Sequence, residues 1–155
     1  MPQTTGINTL TIGQARIDQI IGLRHAELRT GMPPESARFE GDDAPTTFHF
    51  GAFCDGVNIG CASFMLNSYN GQPAYQLRGM ATRRDLARRG VGRLLLAMAE
   101  QTILAQTVIR QFWCNARQPA VGFYQKQGWV IDSDLFEIPT AGPHFRMKKS
   151  FEAKE

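Results

Sequence analysis

Apolar positions recur at helical spacing in some stretches of the chain and run almost unbroken in several shorter ones. In 14–29 (QARIDQIIGLRHAELR), Ile17, Ile20, Ile21 and Leu28 share one helical face, and Gly31, Pro33 and Pro34 supply the stop. The polar stretch 31–47, rich in Pro and Gly, reads as a loop with room for a short helical turn. Three strand-like runs follow at 48–54, 57–66 and 74–82. Asp55-Gly56 separates the first two and Asn70-Gly71 lies in the turn before the third, which predicts an antiparallel meander. The pattern then predicts a helix over 90–107, with Val91, Leu94, Leu95, Met98 and Thr102 on its inner face. A strand at 107–114 and a helix at 116–127 follow, with Gly128 as the C-terminal stop. Strands at 129–138 and 144–151 close the chain, and a first strand is placed at about 7–12. A strand-helix-strand crossover implies a parallel pair. The expectation is an α/β (α+β) fold: a mixed, mostly antiparallel sheet of six to seven strands flanked by helices, in one domain over 1–155.

Composition narrows the class without changing this picture. A chain of 155 residues with 43% apolar and 20% charged residues can bury a sizeable core. No apolar run approaches the roughly 18–20 residues that span a bilayer. The first residues lack the basic start and apolar core of a signal peptide, so a cytoplasmic location and no membrane partner are expected. Cys54, Cys61 and Cys114 are odd in number and fit neither a disulfide framework nor a zinc site. Buried reduced thiols are the expectation, a catalytic Cys114 the alternative.

Charge changes the picture more. The net charge is +3, yet 78–93 holds six arginines (78, 83, 84, 88, 89 and 93) against Asp85, so that segment carries +5 and the rest −2. Such a local field points to an anionic ligand, most simply a phosphate; a solvated arginine-rich loop is the alternative. Within it, Gly90 and Gly92 stand where the helix begins. Helix N-termini carry unpartnered N–H groups and partial positive charge, and glycine lets a phosphate approach the backbone. Two common phosphate motifs fail here. Arg93-Leu94 replaces the Lys-Ser/Thr of a P-loop, and Leu95 stands where a dinucleotide fingerprint needs its third glycine.

A second constellation, NARQPAVGFYQKQGW at 115–129, completes the reading. With Ala87, Arg88, Arg89, Gly90, Val91 and Gly92 before it, it resembles the GNAT superfamily of acyl-CoA-dependent N-acetyltransferases, over roughly 45–150. The resemblance implies acetyl-CoA, with its pyrophosphate on the backbone of 88–93 and the Arg93 side chain nearby. Ala87 departs from the Arg or Gln of that pattern. The resemblance further implies that Met80, Ala81 and Thr82 hold the pantetheine arm along their strand. Asn115 is implied to bond that arm, Pro119, Ala120 and Phe123 to pack against the cofactor, and Tyr124 to be the acid for the departing thiolate. A phenol with a pKa near 10 suits that role.

The ending FEIPTAGPHFRMKK resembles that of a subset of small bacterial members, which ranks Glu137 and His144 first for acceptor contact, although the Pro139-Thr140-Ala141 insertion departs from it. Candidates for the base are Glu27, His49, Asp132, Glu137 and His144. Glu27, Arg29 and Asp43 are expected at the acceptor mouth. The early acids Glu35, Glu40, Asp42 and Asp43 suit a cationic amine or a solvated loop. The implied partner is a small-molecule or peptide amine, with a homodimer through the last strands. Rival readings are a non-catalytic CoA-binding module and, less well supported for want of interleaved aromatics, a nucleic-acid binder.

Overall fold

The computed structural model describes residues 9–86 and 88–152, so Ala87 and the start of the expected first strand lie outside the described residues. The strands are β1 (Leu10–Gln14), β2 (Phe48–Cys54), β3 (Val57–Leu66), β4 (Tyr75–Thr82), β5 (Gln111–Arg117), β6 (Val130–Ile131), β7 (Phe136–Ile138) and β8 (Gly142–Ser150). The helices are α1 (Ile17–Leu28), α2 (Val91–Gln106) and α3 (Val121–Lys126). The sheet runs β1-β2-β3-β4-β5-β8-β6, with β7 also on β8. Its parallel pair is β4–β5, bridged by α2; every other pairing is antiparallel. The expected meander forms, and Asp55-Gly56 (φ 52° and 82°) and Asn70-Gly71 (φ 51° and 77°) take the left-handed pairs that tight hairpins require.

The sheet has eight strands rather than six to seven because 129–138 breaks in two. After Ile131 the Asp132 N–H still reaches Arg146 O, but the Arg146 N–H turns to the Ser133 hydroxyl at 2.8 Å. A side chain thus takes the place of a backbone acceptor, and pairing resumes only at Phe136. The expected helix over 116–127 is also shorter. Pairing with β8 holds β5 extended through Arg117, a 3₁₀ turn covers Gln118–Ala120, and α3 starts at Val121.

On α2 the inner face is rotated from the expected one. Val91, Leu95, Leu96, Ala99, Glu100 and Ile103 are buried, while Leu94 and Met98 are 41% and 40% exposed. Three consecutive leucines leave the periodicity undecided, and packing on the sheet selects among them. Glu100 tolerates burial because its carboxylate accepts from Lys149 Nζ at 2.8 Å and Trp129 Nε1 at 2.9 Å. The main core lies between the sheet and α2/α3, around Phe50, Phe64, Leu95, Phe112 and Trp129. All three cysteines are buried reduced thiols. No described helix is long and apolar enough to cross a membrane.

Candidate active site

The site begins with a failure of pairing. β4 and β5 are bonded only at Tyr75↔Phe112, Gln76↔Trp113 and Leu77↔Cys114, and then part. The cause lies in β4, whose register against β3 shifts between Cys61 and Ser63, as in a β-bulge. Gly79 has φ +64°, and a Cβ there would lie 2.8 Å from Arg24 Nε and 3.0 Å from the Phe39 ring. Only glycine fits both the backbone and the space.

The splayed strands open a cavity of about 260 Å³ that reaches through the sheet. Leu77, Cys114, Ala116 and Tyr124 reach it from the α2/α3 core. The alternate positions Arg78, Asn115 and Arg117 point the other way, toward Arg29 and Phe39 near α1. Met80, Ala120 and His144 also line the wall.

Tyr124 is buried on α3, and its hydroxyl points at Met80 Sδ, 3.8 Å away, a weak contact. Burial pushes its pKa well above the ordinary phenol range, with Cys114 adding to the shift, so the proton stays on oxygen at neutral pH. Phe123 packs edge-on against Tyr124, ring centroids 5.3 Å apart. Burial likewise pushes the Cys114 thiol up to about 12, which suits an inert thiol rather than a nucleophile.

α2 starts beside this wall. Its N-cap, Gly90, has φ +84°, Arg88 has φ +68°, and no side chain or acid caps the first turn. Among the described residues the first bonded amide is Leu94 N–H to Gly90 O at 3.1 Å, and the N–H groups of 91–93, in the first turn, have no acceptor within the helix. A Cβ on Gly92 would stand 3.4 Å from the Phe123 ring and 3.7 Å from Met80 Cε, so α2, α3 and β4 converge there. Arg88, Arg89 and Arg93 are exposed around it. The uncapped amides, the bare glycines and these cations fit a pyrophosphate.

The arginine run is therefore not one patch. Arg83 pairs with Asp85 at 2.7 Å and Arg84 with Glu27 at 3.5 Å, while Arg78 lines the cavity. Of the cofactor candidates, Met80, Asn115 and Ala120 line the cavity; Ala81 and Thr82 continue β4 opposite Cys61 and Gly60; Pro119 is exposed; Val91 is buried in the core. Asn115 Oδ1 accepts from Arg146 Nε at 3.4 Å.

Of the acceptor and base candidates, Arg29 and His144 line the cavity and the others do not. Glu27 serves Arg84. His49 is buried between Ser63 Oγ at 2.6 Å and Asp42 O at 2.9 Å. Glu137 is exposed on β7 opposite Pro143. Asp132 accepts from the Tyr69 hydroxyl and lies 3.7 Å from Lys148 Nζ. Asp43 lies 3.7 Å from Arg38, and Asp42 is buried against Arg24. His144 Nδ1 bonds Gly142 O at 2.7 Å; a carbonyl only accepts, so Nδ1 carries the proton and Nε2 of the neutral ring is an acceptor.

Sequence reasoning missed Phe39 and the cavity-facing roles of Arg78 and Arg117. The guanidinium carbons of Arg24, Arg78 and Arg29 lie 4.0, 4.5 and 5.2 Å from the Phe39 centroid. A glycine inside the strand pattern at 79 was the one signal for a bulge there. A lone Phe in a polar loop carries none.

An N-acetyltransferase of Bacillus subtilis (strain 168), YitI, described as uncharacterized, is 35% identical over 147 residues, 91% of this chain and 96% of its own. Among solved structures, Escherichia coli ElaA superposes with a TM-score of 0.78 at 14% identity, covering 92% of this chain and all of that one. An aminoglycoside 6'-N-acetyltransferase complexed with coenzyme A gives 0.73 at 13% identity, over 94% and 99% of the two chains. The model of the acetyltransferase (GNAT) family matches residues 17–129. With more than two thirds of its length so matched, a curated relative at this identity and the same fold, the chain belongs to the acetyltransferase (GNAT) family.

Proposed function

We propose that the opening between β4 and β5 is where this N-acetyltransferase joins acetyl-CoA, entering along the α2/α3 face, to a primary amine of a small molecule or peptide entering from the α1 face, by direct attack in a ternary complex. One observation carries the reading: a single cavity meets Tyr124 and Met80, beside the uncapped α2 start, and also opens among the side chains near α1. Acetyl-CoA supplies an activated acetyl thioester. Gly90, Gly92 and the amides of 88–93 hold its pyrophosphate, with Arg88, Arg89 and Arg93 adding charge. Met80, Ala81 and Thr82 offer β4 backbone beyond the bulge, where β5 no longer takes it. Asn115, Pro119, Ala120 and Phe123 fix the arm.

Holding two reactants together supplies much of the acceleration. His144 Nε2 is placed to take a proton from the ammonium form, directly or through water. Tyr124 holds the proton that the sulfur needs on leaving. As the N–C bond forms and the C–S bond breaks, the ammonium gives up two protons and the thiolate gains one, so one passes to solvent.

Calorimetric titration with acetyl-CoA tests the site. Wild type binds, and Gly92→Asp, whose Cβ makes only ordinary contact with Phe123, loses binding because a carboxylate meets the phosphates. Tyr124→Phe binds normally and loses roughly a hundredfold or more in turnover. Failure of the wild type to bind would overturn the assignment. We also propose a homodimer along the β6 edge, where Val130 and Ile131 are exposed; an Ile131→Glu variant that sediments like wild type would count against it.

A further inference from the structure

The acceptor side of the cavity is cationic. Arg29, Arg78 and Arg117 supply the charge, with His144 beside them in the lining, and no Asp or Glu lines it. Among the described residues no carboxylate lies within ion-pair distance of any of the three arginines. The nearby Asp42 is committed to Arg24, with contacts of 2.8 and 3.1 Å. Arg29 and Arg78 share the Phe39 ring with Arg24. Burial lowers the pKa of Arg29, with repulsion from Arg117 and Arg24 next, and lowers that of Arg78, with repulsion from Arg24 and Arg29 outweighed in part by Asp42. Crowded, partly desolvated cations without an ion-pair partner of their own are costly to the free protein, and a ligand that brings the charge relieves that cost.

We propose that the acceptor amine also carries an oxyanion, a carboxylate or a phosphate, held by Arg29, Arg78 and Arg117 while the amine reaches the opening beside Met80 and Tyr124. The inference rests on the acetyltransferase reading above and names its substrate class. Of the two readings of the early acids, it sets aside the cationic amine, because Glu35, Glu40, Asp42 and Asp43 all lie outside the cavity wall. The coenzyme phosphates do not account for these arginines. Arg78 and Arg117 project to the face opposite Leu77, Cys114 and Ala116, which belong to the core beneath α2 and α3. Phe39 adds an apolar floor, and about 260 Å³ suits a small acceptor or the end of a chain.

The test is a matched panel of amines with wild-type protein, following release of the CoA thiol, with acetyl-CoA affinity measured separately by calorimetry. β-Alanine is compared with β-alaninamide, O-phosphoethanolamine with ethanolamine, and spermidine serves as the cationic arm. The expected result is a kcat/KM for at least one anionic amine about tenfold or more above its neutral partner, one charge-assisted bidentate contact being worth that much. The two anionic arms tell carboxylate from phosphate. Arg78→Gln and Arg117→Gln each raise KM for the anionic amine roughly tenfold while acetyl-CoA affinity holds, and Arg78→Lys recovers part of the loss. Preference for neutral or cationic amines overturns the inference and leaves the acetyltransferase standing. So does acetyl-CoA binding without transfer to any anionic amine, or an equal KM rise for charged and neutral acceptors. Absence of acetyl-CoA binding overturns both readings.

Discussion

The two faces of the sheet are built on opposite principles. Against α2 and α3 the buried side chains are almost all apolar, and the one acid among them, Glu100, is satisfied by Lys149 and Trp129. Against α1, buried apolar side chains such as Ile20 share the space with a polar chain. Arg24 donates to both Asp42 oxygens, to Ala37 O at 2.8 Å and to Ser63 Oγ at 2.8 Å. The Ser63 hydroxyl continues to His49 Nδ1, and His49 Nε2–H returns to Asp42 O. Asp42 Oδ2 also accepts the Phe39 N–H at 2.7 Å, which ties the platform of the cavity to this network. Apolar burial is non-directional and gives stability per area. A buried polar network is directional and holds only when nearly complete. One face makes the fold stable; the other fixes where the loop over the cavity stands.

Breaking the polar face has the largest expected effect. Asp42→Ala leaves the fully buried Arg24 charge without its partner and is expected to cost about 3–5 kcal/mol in urea unfolding, against near-zero for Asp43→Ala on the exposed neighbour. The apolar face responds next. Leu95→Ala is expected to cost about 3 kcal/mol, from lost burial and a cavity. Leu94→Ala, at an exposed position, stays within about 0.5 kcal/mol, and equal losses at both would restore the α2 face that periodicity favours.

Gly79→Ala joins the two faces. Its Cβ strains a left-handed backbone and presses on Arg24 and Phe39, so about 2 kcal/mol of stability is expected to go, together with a higher acceptor KM. The smallest effect at neutral pH is that of the buried thiols. The folded state raises Cys61 and Cys114 from 9.0 to about 12, chiefly by burial. Their contribution is complete below pH 9 and declines between about 9 and 12, where the unfolded chain has released protons that the folded one keeps. A pH series of unfolding curves showing rising stability across that window would contradict the burial of both.

The hairpin at Asp55-Gly56, the stop at Gly128 and the glycines that start α2 were legible because each is a local demand of the backbone, met by a few adjacent residue types. Membership of the family was legible for the same reason: both motifs are short and contiguous. Other features were not local. Three leucines in a row cannot say which one meets the sheet, and nothing around 133 announces that a serine hydroxyl will take a strand's N–H. The arginine run read as one phosphate patch, yet strand alternation turned Arg78 inward and nearby carboxylates took Arg83 and Arg84. Read alone, the sequence determined the order of most elements, the glycines at the start of α2 and the class of chemistry, because those depend on neighbours along the chain. Only the tertiary structure decided that the α1 side of the cavity is cationic. That depends on which charges, from α1, β4, β5 and the loop before β2, end in one cavity and which are neutralised on the way.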